Sequence, residues 1–139
     1  MTIQVQKRLN DARLTLGVVE VRGGTARESS ATLKARAAEL AQSMCAEEYA
    51  IPEAQRTAVR QLLKQGGFSA TGRNRPAHEL LLNDLKERGE FHYINNVVDV
   101  NNVISLEALL PISIFDISKL TPPVSVRLAV AGEGYVFNQ

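Results

Sequence analysis

The apolar and polar positions of this chain change period several times, and each change marks an element. Residues 13–22 (RLTLGVVEVR) are rich in β-branched side chains and end at Gly23-Gly24, which predicts a strand closed by a turn. The continuous apolar centre of that run predicts burial on both faces. Residues 25–30 are polar, and Ser29 or Ser30 is placed to cap the next helix. From there to about Glu48, Leu33, Ala37, Leu40, Ala41 and Met44 recur at helical spacing. Their narrow, Ala-rich face suits close packing on a sheet. Ile51-Pro52-Glu53 opens a second helix, with Val59, Leu62 and Leu63 as its apolar face and Gly66-Gly67 as its stop. After a loop over 68–75, Pro76 opens a third helix, in which Leu81, Leu82 and Leu85 face inward and which Gly89 ends.

The rest of the chain is organised around residues 91–116, FHYINNVVDVNNVISLEALLPISIFD. Four asparagines and an aspartate lie among valines here, and the doubled Asn pairs break the alternation of a half-buried strand. A helix over about 96–109 fits better. On its wheel Val97, Val100, Val103 and Ile104 share one broad face, and Asn95, Asp99, Asn102 and Ser105 share the opposite stripe. Val98, Leu106 and Leu109 fall within that polar stripe, so it is predicted to be partly buried, where polar groups need partners. The amides then either tie this segment to neighbouring loops or face a pocket. Pro111 breaks the helix, 112–120 reads as a strand, and Thr121-Pro122-Pro123 as a rigid connection. Val124, Val126, Leu128 and Val130 alternate with Ser125, Arg127 and Ala129, predicting a strand with one buried face. Gly132-Glu133-Gly134 predicts a hairpin turn, and residues 135–137 a returning strand with an apolar edge. Self-association, or a further C-terminal part, is expected to cover that edge.

A length of 139 residues predicts one domain, 1–139. The fold class follows as α+β, a mixed or antiparallel sheet with three to four packed helices. The single cysteine, Cys45, excludes an intrachain disulfide and a Cys-rich metal site, and reads as a core or half-buried thiol. No apolar leader opens the chain and no run is long enough to span a membrane, so a cytoplasmic location is expected. His78 and His92 have no second ligand at metal spacing, no Ser-His-Asp arrangement or phosphate-cradling glycine motif is legible, and neither metal nor cofactor is expected.

The net charge of +1 is uninformative, but the charge is not evenly spread. Arg56, Arg60 and Lys64 lie at i, i+4 and i+8 on one face of the second helix, and Arg73 and Arg75 follow. No acid intervenes between Glu53 and Glu79, so the segment reads as five unopposed positive charges. That is the footprint expected for a phosphate backbone, and it also fits a solvated face. Phe68 and Tyr93 are aromatics near loops, placed to stack on bases or to anchor the core.

INNVVDVNN, followed by SLEALLP and then FD, resembles the B-three/B-four domain of the phenylalanyl-tRNA synthetase beta subunit. LGVVEVRG (16–23) bears a weaker likeness to the N-terminal segments of free-standing relatives of that domain. The resemblance implies an incomplete B-three/B-four-like domain that binds tRNA or aminoacyl-tRNA, with hydrolysis of mischarged tRNA as the enzymatic version. It implies Asn95, Asn96, Asp99 and Asn102 as substrate-binding residues beside an aminoacyl end. Arg56, Arg60, Lys64, Arg73 and Arg75 would then meet nucleic acid. No catalytic residue is assigned. Ser113 stands where the synthetase usually carries a histidine, and the family's substrate-reading glutamate would fall beyond Gln139. The alternatives are a non-catalytic module for an amino-acid-like small molecule and a truncated structural remnant.

Overall fold

The computed structural model describes residues 3–9, 14–64, 67, 69–70 and 74–134. In chain order its elements are β1 (Val5–Lys7), α1 (Ala31–Met44), α2 (Glu53–Lys64), α3 (Ala77–Arg88), α4 (Asn96–Ala108) and β2 (Val124–Val126), with a short 3₁₀ helix at Ile117–Lys119. The chain forms two compact units, one over Gly23–Ile114 and one joining Met1–Arg22 to Phe115–Gln139. The class is α+β, with four α-helices and a two-stranded sheet among the described residues.

The helical unit begins where Ser30, in extended conformation, accepts the Leu33 N–H on its hydroxyl at 3.2 Å and caps α1. The Ala-rich face turns inward as expected, with Ala37, Ala41 and Met44 buried. It packs on helices, however, and not on a sheet: α1, α3 and α4 contact one another pairwise. Small side chains allow close helix approach as readily as close approach to a sheet, so the pattern alone does not choose the partner. Leu82 and Leu85 of α3, Phe91, and Val103, Leu106 and Leu109 complete the core. Cys45 lies partly buried at its edge, its thiol 3.5 Å from the Leu85 carbonyl. Gly89 closes α3 at φ 73°, a left-handed cap that glycine adopts without steric cost.

α4 turns its mixed stripe inward. Asp99, Val103, Ser105 and Leu106 are buried, whereas Val97, Val100 and Ile104 are exposed. The helix ends at Leu109, a left-handed residue at φ 51° that carries a side chain. Its end is held from several sides. The Ser105 hydroxyl donates to the Leu110 carbonyl at 2.6 Å, and the Gln55 amide of α2 donates to the carbonyls of Ala108 and Leu109 at 2.8 and 3.2 Å. Leu109 itself is core, and burial of its side chain offsets the cost of that backbone.

In the other unit β1 pairs with β2 in parallel, Val5 opposite Val124 and Lys7 opposite Val126. The antiparallel pairing allowed for above has no counterpart among the described residues. Three expected strands are corrected. Residues 14–22 carry no strand, and Val18, Val19 and Val21 are exposed. Without a neighbouring ladder, β-branched propensity does not make a strand. Arg13, where that run begins, lies outside the described residues. Over 112–120 the chain is irregular and then 3₁₀, because the Asp116 carboxylate accepts the Ser118 N–H at 2.9 Å and its hydroxyl at 2.7 Å. A local bond of this kind competes with strand pairing. The alternation over 124–130 yields a strand only to Val126, and Leu128 and Val130 are exposed. Beyond it Arg127 and Val130 both bond the Glu133 carboxylate, which folds the chain into a turn with Gly132 at φ 89°. The Pro122-Pro123 bond is cis. The predicted returning strand over 135–137 lies outside the described residues.

Candidate functional site

The amides of the organising segment divide by what they bond. Asn95 is the N-cap of α4, its side-chain oxygen accepting from the N–H groups of Val97 and Val98, both at 3.1 Å. Asn96 accepts the Arg27 N–H at 2.8 Å and donates to the Thr25 carbonyl at 3.1 Å, tying the loop before α1 to the start of α4. Asp99 is fully buried. One of its oxygens accepts the Ile94 N–H at 2.8 Å and the other the Ser29 hydroxyl at 2.5 Å. These three side chains therefore bond to neighbouring protein groups.

Asn102 differs. Its side-chain oxygen receives one long bond, 3.4 Å from the Asn101 amide, and the residue lies on the wall of a hollow of about 100 Å³. Leu81, Asp84 and Leu85 of α3 line the same hollow with Phe91, His92, Ile94 and Leu106. Asp84 accepts from Arg88 at 2.8 Å and lies 3.9 Å from His92. Asn102 was expected near a site from the sequence, whereas Asp84 and His92, whose approach depends on the turn after Gly89, were not. Small-molecule sites usually enclose about 300–1,000 Å³. This hollow is smaller than that range. Tyr93 is partly exposed, stacked at a tilt 5.1 Å from Phe91 with Lys34 over its ring, and its hydroxyl donates to the Lys34 carbonyl. Phe68 lies outside the described residues.

A second cavity, of about 220 Å³, is lined by Arg56, Arg60, Arg75 and Glu79 with Ala50, Ile51, Leu82 and Asn83. Of the five charges expected to stand unopposed, two have acidic partners. Arg56 bonds Glu53, and Arg60 forms a two-pronged pair with Glu79, Nε at 2.8 Å and Nη2 at 2.6 Å. The acids that bound the segment in sequence fold back onto it. The Arg60 guanidinium holds the buried Glu79 carboxyl below its ordinary value, outweighing the opposite effect of burial. Lys64 is exposed and without a partner among the described residues. Arg73 lies outside them.

Next to Glu79, His78 is fully buried, and neither ring nitrogen has a hydrogen-bond partner among the described residues. Burial pushes its pKa down, Glu79 opposes this, and Arg60 adds to it. The sequence placed His78 in the first turn of α3 and carried no sign of this burial.

The model of the family described as the B3/4 domain matches residues 68–137. The chain belongs to the B3/4 domain family. This is the family that the INNVVDVNN stretch resembles, and Asn95, Asn96, Asp99 and Asn102 fall within the match. In this B3/4 chain, α3, α4 and the residues lining the Asn102 hollow all lie within the match. Arg56, Arg60 and Lys64 of α2 precede the matched residues, so the cleft joins a helix outside the match to one inside it. Neither a curated protein nor a solved structure matches the chain.

Proposed function

We propose that this chain is a tRNA- or aminoacyl-tRNA-binding module of the B3/4 type. The observation that carries the reading is the division within the family motif. Asn95, Asn96 and Asp99 brace the helix start, and Asn102 is left at a hollow with its amide barely engaged. In this reading Asn102 meets a polar group of the aminoacyl end. Arg56, Arg60, Lys64, Arg73 and Arg75 meet phosphates, with Arg60 already oriented by Glu79. A guanidinium suits phosphate because its planar fork offers paired donors.

Filter binding against bulk tRNA tests the role. Binding at low ionic strength that falls steeply with added salt is the expected result. Its absence at low ionic strength removes the reading. A deacylation assay with Tyr-tRNA(Phe) then separates binding in trans from hydrolysis.

The separation of the two hollows favours a second reading, a module for an amino-acid-like ligand without nucleic acid. Asn102, Asp84 and His92 gather at a hollow that Arg56, Arg60 and Arg75 do not line. A thermal shift with free aromatic amino acids that tRNA leaves unchanged selects it.

A further inference from the structure

α2 is joined to the helical unit differently from the other three helices. The apolar core draws on α1, α3 and α4, and no residue of α2 belongs to it. Val59 alone of α2 is buried. Two polar attachments hold the helix besides: the Gln55 amide on the carbonyls of Ala108 and Leu109, and Arg60 on Glu79. An element with so little apolar burial opens at lower free-energy cost than the core it rests on.

His78 stands beside the second attachment. It lies in the first turn of α3 next to Glu79, is fully buried, and has neither ring nitrogen bonded among the described residues. A neutral ring bears such a place at a modest cost. An imidazolium there is a buried charge without a hydrogen-bonded partner, which costs far more.

We infer that α2 is an acid-released element: protonation of His78 is relieved when α2 lifts from α3 and lets water reach the ring. The charged groups that act on His78 are Glu79 on α3 and Arg60 on α2. α1 and α4 pack on α3 and add no further charge to the ring among the described residues. Burial is the largest influence and pushes the His78 pKa down, Glu79 raises it, and Arg60 lowers it. The positive end of the α3 dipole also disfavours a cation in the first turn. Lifting α2 admits water and carries Arg60 away, so two of the adverse influences weaken together.

The direction with pH follows. In the closed form the pKa lies below the ordinary 6.5, and once water reaches the ring it returns towards that value. The open form therefore binds the proton more tightly. Closure is complete above 6.5 and gives way as pH falls below it. Glu79 acts in a lower window. Arg60 holds its carboxyl below 4.5, so the ion pair keeps α2 closed above that value and lets go below it. Between the two windows His78 works against an intact ion pair. Arg56 and Arg60 line the cleft from α2, and Glu79, Leu82 and Asn83 line it from α3. Release parts these two walls, so the cleft belongs to the closed form.

The test is amide hydrogen exchange of the whole chain, followed by NMR from about pH 7.5 to about pH 5, each rate divided by its intrinsic rate at that pH. Protection of the α2 amides is expected to fall by up to about tenfold per pH unit below about 6.5, the slope of one linked proton. Amides of α1 and α4 should keep theirs. His78→Leu should abolish the slope. Glu79→Gln should lower α2 protection throughout and keep the slope. Protection of α2 that does not change with pH overturns the inference. So does an equal fall in all four helices, which reports global unfolding, or a slope that survives His78→Leu. If that variant does not fold, the parent decides through its imidazole C–H resonances. A His78 ring that titrates below the ordinary value, together with the α2 amide shifts, upholds the inference. One that titrates at the ordinary value, with α2 unmoved, overturns it.

Discussion

At the start of α4, Asn95, Asn96 and Asp99 give their oxygens to protein N–H and O–H groups, some from α4 itself and some from the loop before α1. Between α2 and α3, Arg56 and Arg60 also find acids, and both line a cavity. Both clusters are polar runs in the sequence. They differ in what can complete them. Short amide and carboxylate side chains near a helix start are within reach of orphan N–H groups, which are many and close. Long cations have only two acids flanking their segment in sequence, fewer than their own number. The first cluster is therefore taken up by neighbouring protein groups, whereas arginines of the second line a cavity.

The largest expected effect breaks the first cluster. Asp99→Ala orphans the Ile94 N–H and the Ser29 hydroxyl in a buried site. Each unsatisfied buried group costs about 1–3 kcal/mol, so a loss of about 3 kcal/mol or more is expected in urea denaturation. A loss under about 1 kcal/mol would mean that Asp99 is not the brace proposed. The second effect is smaller. Glu79→Gln keeps the shape of the Arg60 pair but removes its charge, and about 1 kcal/mol is expected. The Glu79 carboxyl is held below its ordinary value of 4.5, so its contribution is present above that pH and lost as pH falls below it. The variant should flatten the acid limb of the stability curve there, and an unchanged limb would show the pair to be inert.

Much of the helical unit was legible because its signals are local. Ser30, Gly89 and the spacing from Ala37 to Met44 act within one or two turns. The inward side of α4 was half legible. The mixing of Leu106 with Asp99 marked the stripe as partly buried, but the partner of Asp99 is Ser29, 70 residues away, and no period reports such a distance. The exposure of Val97, Val100 and Ile104 ran against hydropathy for the same reason: what the stripe meets decides the matter. The strands were least legible, since pairing is a long-range choice. β1 did leave a sign in the alternation of Ile3 and Val5 with Gln4 and Gln6. The arginine cleft was legible as charge but not as a cavity, because it depends on Arg60 meeting Glu79, 19 residues away.

His78 sharpens the comparison from the interior side of the cleft. A buried imidazole without partners contributes nothing that an apolar side chain of similar size would not, and it carries a desolvation cost. His78→Leu is expected to leave stability within about 1 kcal/mol of the parent or to raise it. The pH dependence supplies the sign. With the folded pKa below the ordinary 6.5, the unfolded chain binds the proton more readily. Stability is thus full above that value and declines as pH falls below it. The variant should lose this decline between about pH 6.5 and the range where carboxylates titrate. A large loss of stability at neutral pH would mean that the ring nitrogens are bonded after all.

The smallest effect on stability carries the most weight for function. Asn102→Ala removes one long bond from a half-buried amide and empties nothing in the core, so a change within about 0.5 kcal/mol is expected. Set beside Asp99→Ala, three residues earlier on the same helix, it separates the brace from the open amide. If Asn102 meets the aminoacyl end, the variant should weaken binding of aminoacyl-tRNA relative to uncharged tRNA, because a site built around a hydrogen bond discriminates through that bond. Arg56→Gln should weaken both alike, since it acts on phosphate. An Asn102 variant that loses stability as Asp99→Ala does, with the charged-to-uncharged ratio unchanged, would place Asn102 in the scaffold with Asn95, Asn96 and Asp99.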